Sequence, residues 1–210
     1  MSWIKQRKKQ FKEVRKPLLI VCEDSKSSVY YLKEKVRSCG LSSDDVKVDG
    51  DSDSSPKSVV DYAIKEKAKQ KKLAKHNGIY EYEEVYCVMD VDDHPTLKAA
   101  LVKAKDNNLV SIVSNECFEL WYLLHFIEYS TKLLNRKEIE KLFTLHLGKL
   151  YEKSDEKMFS ILKDKEMHAI NIAEQLEASA NKESEERDPI RNPSTEVHFL
   201  INKINSKKIS

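Results

Sequence analysis

The sequence predicts an α/β chain in which a parallel sheet is flanked by helices, with a C-terminal helical portion. Three observations predict it. Two short, continuous apolar runs, LLIVC (18–22) and EVYCVMDVDD (84–93), have the pattern of strands buried on both faces. Strand and helix signals then alternate from residue 18 to residue 114, and such alternation builds right-handed βαβ units. From residue 117 onward only helical spacing remains.

Each element has its own warrant. Pro17 ends a basic arm, and LLIVC follows as the first strand. SKSSVYYLKEKVRSCG (25–40) repeats apolar residues at helical spacing through Val29, Leu32 and Val36, and stops at Gly40, a residue common just past a helix end. VKVD (46–49) is a second short strand. DGDSDSSP (49–56) is an acidic loop, and Ser55-Pro56 suits a helix start, so 57–75 is a long, lysine-rich helix. EVYCVMDVDD is the third strand, 96–107 a helix and LVSIVS (109–114) the fourth strand. CFELWYLLHFIE, NRKEIEKLFTLHL and KMFSILKDKEMHAINIAEQLEAS then read as helices, 181–194 as a polar loop and TEVHFLINKI as a final helix. The expected organisation is a basic arm over 1–16, an α/β core over 17–116 and a helical portion over 117–210, packed on the core as one compact unit.

Composition narrows the classes. Four glycines and five prolines in 210 residues exclude collagen-like and low-complexity chains. No apolar run approaches the ~18 residues of a membrane span, and no apolar stretch follows the charged N-terminus as in a secretory signal; a cytoplasmic protein is expected. Cys22, Cys39, Cys87 and Cys117 have neither zinc-site nor disulfide-framework spacing, so reduced structural thiols are expected. The net charge is +2, yet residues 1–16 hold seven basic residues against Glu13, and KEKAKQKKLAK (65–75) has six lysines against Glu66. Such stretches can follow a phosphate backbone or be solvated surface.

The acids are placed more tellingly. In open parallel sheets, chemistry gathers outside the carboxyl ends of the strands. Glu23 closes the first strand, Asp90 and Asp92 the third, with Asp93 and His94 directly after, and Ser114, Asn115 and Glu116 the fourth. Asp90 and Asp92, two apart in an extended segment, would point to one side. With Glu23 they would form three carboxylates in one small volume if strands one and three are neighbours. Hard oxygen ligands of this kind favour magnesium or manganese and suit phosphoryl transfer; acids capping strand ends beside helix N-termini are the structural alternative.

Glutamate after V-C at the first strand end and D-x-D at the third resembles the TOPRIM domain of topoisomerases, primases and OLD-type nucleases. The wider sequence resembles the RloB-like proteins associated with bacterial defence against phage. The matching stretches are IVCEDSKSSVYYL (20–32), YCVMDVDDH (86–94), SNECFELWYLLHF (114–126), YEKS (151–154) and NPSTEVHFLI (192–201). Where the family usually has glycine, this chain has Asp24; where it has a second glutamate, Ser28; and where proline follows S-N, Glu116.

The resemblance implies a TOPRIM nuclease, a hydrolase of phosphodiesters in DNA or structured RNA and an effector of phage defence. Glu23, Asp90 and Asp92 would hold magnesium or manganese, Glu23 would also take a proton from the attacking water, and Lys26 would stabilise charge on the phosphate. A partner ATPase would restrain or trigger it, since a free nuclease of this size would be toxic to its own cell, and with neither G-x-G-x-x-G nor G-x-x-x-x-G-K-[ST] in the chain, any ATP would come with a separate subunit; a homodimer is open, and no membrane contact is expected. The departures at Asp24 and Ser28 motivate a second reading, a catalytically weak TOPRIM-like binding subunit. A receiver-like signalling domain is set aside because no fifth strand is visible.

Other residues carry two readings each. Glu119 and Tyr122 share a helix face, and a carboxylate in a helix apolar nearly all round needs a partner or a function: Glu119 and Asn115 are either a second layer beneath the metal site or a buried hydrogen-bonded pair. His94 is a phosphate-orienting residue or an ordinary loop histidine. Lys153 and Arg191 are phosphate contacts or structural ion pairs.

Overall fold

The computed structural model describes residues 16–92, 94–130, 132–183 and 190–208, the side chains of 180–183 excepted. Strand β1 (Leu18–Cys22) lies between β2 (Val46–Asp49) and β3 (Glu84–Asp90), and β3 pairs with β4 (Val110–Asn115), all in parallel. The α/β architecture with a parallel sheet is therefore as the sequence predicts. A fifth strand, β5 (Ser194–Thr195), adds antiparallel to β4 and gives the order β2-β1-β3-β4-β5. The sequence reading had a polar loop and no fifth strand there, because two residues carry no periodicity; the free edge of β4 supplies the pairing.

All five residues of β1 are buried. Leu18, Ile20 and Cys22 face one apolar layer, while Leu19 and Val21 face the other. Fully burying a side chain of this size stabilises by about 1.5–3 kcal/mol relative to exposure, so a strand apolar on both faces is held at the sheet centre. The second layer is covered by α2 (Pro56–Asn77) and α3 (Leu97–Asp106) through Val59, Val60, Ala63, Ala100 and Ala104. Helix α2 starts as expected, with Pro56 in its first turn and Ser55 Oγ accepting from Ser58 N–H at 3.2 Å.

The first layer is covered by α1 (Ser27–Ser38) and the C-terminal helices. Helix α1 stops before Gly40, whose φ of 71° is the left-handed conformation that glycine adopts freely. Tyr31 of α1 packs its ring against Tyr122 and Phe159, with centroids 5.5 and 5.4 Å away. This aromatic contact ties the C-terminal part to α1. That part consists of α4 (Glu119–Leu123), α5 (Arg136–Leu147), α6 (Met158–Leu162), a 3-10 turn at Lys163–Lys165, α7 (Glu166–Glu183) and α8 (Val197–Ser206).

Two expectations fail in detail. CFELWYLLHFIE is no long helix: only Glu119–Leu123 is α-helical, and the chain turns through Leu124–Phe126. Side chains buried on every side leave no amphipathic pattern from which a helix length could be read. Strand β3 ends at Asp90, and Asp92 takes a φ of 38°, so Asp90 and Asp92 do not lie in one extended segment. Asp93 and the basic arm fall outside the described residues, apart from Lys16.

The lysine run lies on α2, with Lys65, Lys69, Lys71, Lys72 and Lys75 exposed. Gln70 of the same stretch donates to Tyr80 O, ahead of β3, so the run lies toward the sheet edge where the strands begin. The acids close the opposite edge. All four cysteines are free and buried, and among the described residues no helix is long and apolar enough to cross a membrane.

Candidate active site

The order β2-β1-β3 means that the chain moves to one side of β1 and then to the other. The carboxyl ends of β1 and β3 therefore flank a topological switch point, the usual place for a ligand in open α/β sheets. Glu23 extends the ladder beyond β1, its N–H donating to Val88 O at 3.0 Å, and its Oε2 accepts from Asp90 N–H at 3.0 Å. The carboxylate of Glu23 is thereby fixed across the end of β3. Burial pushes its pKa up, against the hydrogen bond from Asp90.

Asp90 and Asp92 meet through a residue that the sequence reading missed. Nη2 of Arg136 lies 2.9 Å from Asp90 Oδ2 and 3.0 Å from Asp92 Oδ2. The left-handed turn at Asp92, rather than strand alternation, brings the second carboxylate back toward the first. Arg136 opens α5, where Asn135 and Glu138 form a reciprocal capping box and Glu116 Oε2 accepts the Arg136 N–H at 2.8 Å. From sequence, N-R-K-E announces only a helix start; nothing in its spacing tells where the guanidinium goes. Burial and the nearby Glu119 push the Asp90 carboxyl well up, with Arg136 opposing them.

The remaining candidates separate clearly. His94 sits in the turn opening α3, Nδ1 meeting Thr96 Oγ1 at 3.0 Å. Asn115 is buried and donates from Nδ2 to Ile190 O, so it ties the 190 segment to β4. Glu119 is 1% exposed and accepts from Ser27 Oγ at 3.0 Å and Tyr151 Oη at 2.8 Å, with Lys153 Nζ at 3.7 Å. Tyr122 Oη donates to Ser27 O at 2.8 Å. Glu119 and Tyr122 thus hold the first residue of α1 together, as their shared face predicts. Burial alone would raise the Glu119 carboxyl, but Lys153 and Tyr151 outweigh it and hold the group below the usual glutamate range.

Lys26 is exposed and lines a cleft of about 500 Å³ with Glu23, Ser52 and Lys153. Gly50 lets the loop after β2 pack closely on the start of α1, since a Cβ there would stand 2.7 Å from Val29 Cγ2 and 3.0 Å from Asp24 O. Asp24, at the family's usual glycine position, accepts from Lys26 N–H at 2.7 Å and from Ser28 N–H at 3.2 Å. Its carboxylate takes up the orphan donors of the first turn of α1, and Ser28 Oγ donates to it as well. Both departures at this turn therefore serve helix capping, and backbone N–H groups of the first turn are occupied by Asp24. Asp24→Ala should cost about 1 kcal/mol of stability, seen as a lower urea midpoint with an unchanged slope.

The donor set suits a hard divalent cation in kind: three carboxylates and no thiolate. Its arrangement does not. Among the described residues no three His, Cys, Asp or Glu side chains are gathered so that they could hold a metal ion, and the positive charge between Asp90 and Asp92 is the Arg136 guanidinium.

No curated protein and no solved structure matches the chain. The family model for RloB-like proteins matches residues 18–204, a span that includes Glu23, Lys26, Asp90, Asp92, Glu119 and Arg136, and the chain belongs to that family.

Proposed function

We propose that this protein is a TOPRIM-type nuclease that hydrolyses phosphodiesters in DNA or structured RNA with magnesium or manganese, as an effector of phage defence restrained by a partner ATPase. One observation carries the reading: Glu23 and Asp90, from neighbouring parallel strands, meet at the switch point with Asp92 beside them. The adjoining cleft brings Lys26 and Lys153, from two separate elements, beside Glu23, though Asp24, Asp51 and Asp53 line it too and Lys153 Nζ faces Glu119 at 3.7 Å. In this reading the lysines hold the phosphate backbone, and Glu23, desolvated and with a raised pKa, accepts the proton of the attacking water. Glu23, Asp90 and Asp92 would hold the divalent cation, though among the described residues they are not gathered for it, and the cation would polarise the phosphate.

The binding-subunit alternative has its own support. Asp24 closes the α1 donors, and Arg136 neutralises part of the acidic pair. A labelled plasmid and total tRNA, incubated with the purified protein and magnesium, manganese or EDTA, separate the two. Cutting that needs the metal is the expected result; binding without cutting, with the ATPase supplied, favours the alternative. Lys26→Ala should slow cutting about tenfold, since one exposed charge on the phosphate contributes about 1.4 kcal/mol to the barrier; a single-turnover time course reads it.

A further inference from the structure

Among the described residues, four buried side-chain nitrogen or oxygen atoms have no hydrogen-bond partner, and three of them belong to one cluster: Tyr31 Oη, Trp121 Nε1 and His125 Nε2. The three side chains are at most 1% exposed. Their ring centroids lie 5.0 Å apart for Trp121 and His125, 6.4 Å for Tyr31 and His125, and 6.5 Å for Tyr31 and Trp121. A buried polar atom left unpaired costs folding free energy, and three in one place call for a common partner.

The chemistry of the three atoms is complementary. Trp121 Nε1–H can only donate. His125 Nδ1 lies 2.8 Å from Trp121 O, a carbonyl that can only accept, so Nδ1 holds the ring proton. Burial lowers the His125 pKa to about 4, and the neutral ring leaves Nε2 a bare acceptor. Tyr31 Oη can donate and accept, and burial pushes its pKa up, so it keeps its proton. Trp121 is close enough to oppose that shift, yet neither the indole nor the imidazole bonds the hydroxyl directly.

We propose that one buried water molecule is bound between Tyr31, Trp121 and His125, accepting from Trp121 Nε1–H, donating to His125 Nε2 and bonding Tyr31 Oη. Three bonds are the usual complement of an internal water, and a water supplies both the donor and the acceptor that this set needs. Trp121 and His125 come from the SNECFELWYLLHF stretch and Tyr31 from α1, so the water joins the two. Glu119 and Tyr122 already hold Ser27, the first residue of α1, and Tyr31 lies about one turn further on. Helix α1 is thus gripped at two successive turns, directly behind Lys26. The water site stands independently of the nuclease reading.

The test is a water-selective rotating-frame Overhauser experiment on the intact, isotope-labelled protein. The chain has two tryptophans, so the indole N–H resonance that persists in Trp3→Phe is that of Trp121. It should show a cross-peak at the water frequency with the sign of dipolar contact, not of exchange. Tyr31→Phe removes the hydroxyl, whose own exchange would relay such a signal, and the cross-peak should persist. A native protein without the cross-peak, or its loss in Tyr31→Phe, overturns the proposal. The urea midpoint of Tyr31→Phe should stay the same or fall, because a bonded hydroxyl is lost. A rise would show that Oη had no partner and overturns the bridge. Should Tyr31→Phe fail to fold, a high-resolution crystal structure of the native protein decides. A water oxygen within hydrogen-bond distance of both Trp121 Nε1 and His125 Nε2 upholds the proposal, and direct bonds among the three side chains overturn it.

Discussion

Asp90→Asn is expected to lower cleavage of nucleic acid at least a hundredfold while leaving the fold intact. The loss corresponds to about 2.7 kcal/mol or more of transition-state stabilisation, the scale of removing a charged ligand from a metal-assisted phosphoryl transfer. The fold should survive because asparagine keeps the shape and one acceptor oxygen, and Asp92 still pairs with Arg136. The Asp90 carboxyl is pushed well up by burial and by Glu119. Glu23→Gln and Asp92→Asn should behave alike, and their effects should not add, because groups that act as one unit lose the whole effect at the first deletion. Rates on labelled plasmid and tRNA, with melting curves for each variant, check this. Persistent cutting by the Asp90→Asn, Asp92→Asn double variant would place the chemistry elsewhere.

Glu119→Ala should cost about 3 kcal/mol of folding stability. Its carboxylate is buried and accepts from Ser27 and Tyr151. A hydrogen bond to a charged group contributes about 1.5–3 kcal/mol; Tyr151 Oη would lose this acceptor, while Ser27 Oγ keeps a 3.5 Å contact to Asp24 Oδ1. Lys153, largely solvated, adds less. The same residues join α1, α4 and the 151–153 segment, so Lys153 should lose its position in the cleft as well. The pH dependence has a definite sign. The folded Glu119 carboxyl lies below its usual range, so its contribution is complete above the unfolded value of about 4.3 and declines as pH falls below it. Urea unfolding between pH 5 and pH 3 should therefore show a shallower loss in Glu119→Gln than in the native protein. A Glu119→Ala variant as stable as the native chain would show that the network is held by its neighbours alone.

Much of the architecture was legible because it depends on local chemistry. Apolar runs such as LLIVC and EVYCVMD can be satisfied only by burial on both faces, and this makes them inner strands of a parallel sheet. Ser55-Pro56 and Gly40 mark a helix start and a helix end through backbone conformation alone, and both lie where the chain starts or stops a helix. The placement of acids at strand ends was legible too, since it needs only the strand boundaries. The likeness of SNECFELWYLLHF to the RloB-like family was visible in the residues, although the helix it forms is only five residues long.

What the sequence by itself determined is thus the α/β alternation, the parallel sheet and the placement of Glu23 and Asp90 at strand ends; the β1–β3 pairing that brings them to one rim came from the fold. The first three follow from burial, alternation and connection rules that act over neighbouring residues. Tertiary structure alone decided the partner of those acids. Arg136 lies 46 residues beyond Asp90, and its side chain reaches them because Glu116, across a separate turn, holds the start of α5. It also decided that Asp92 returns through a left-handed turn, that Asp24 caps α1, and that Ser194–Thr195 extends the sheet. In each case the deciding interaction joins groups distant in sequence, or a backbone conformation selected by them, and leaves no periodic trace in the chain.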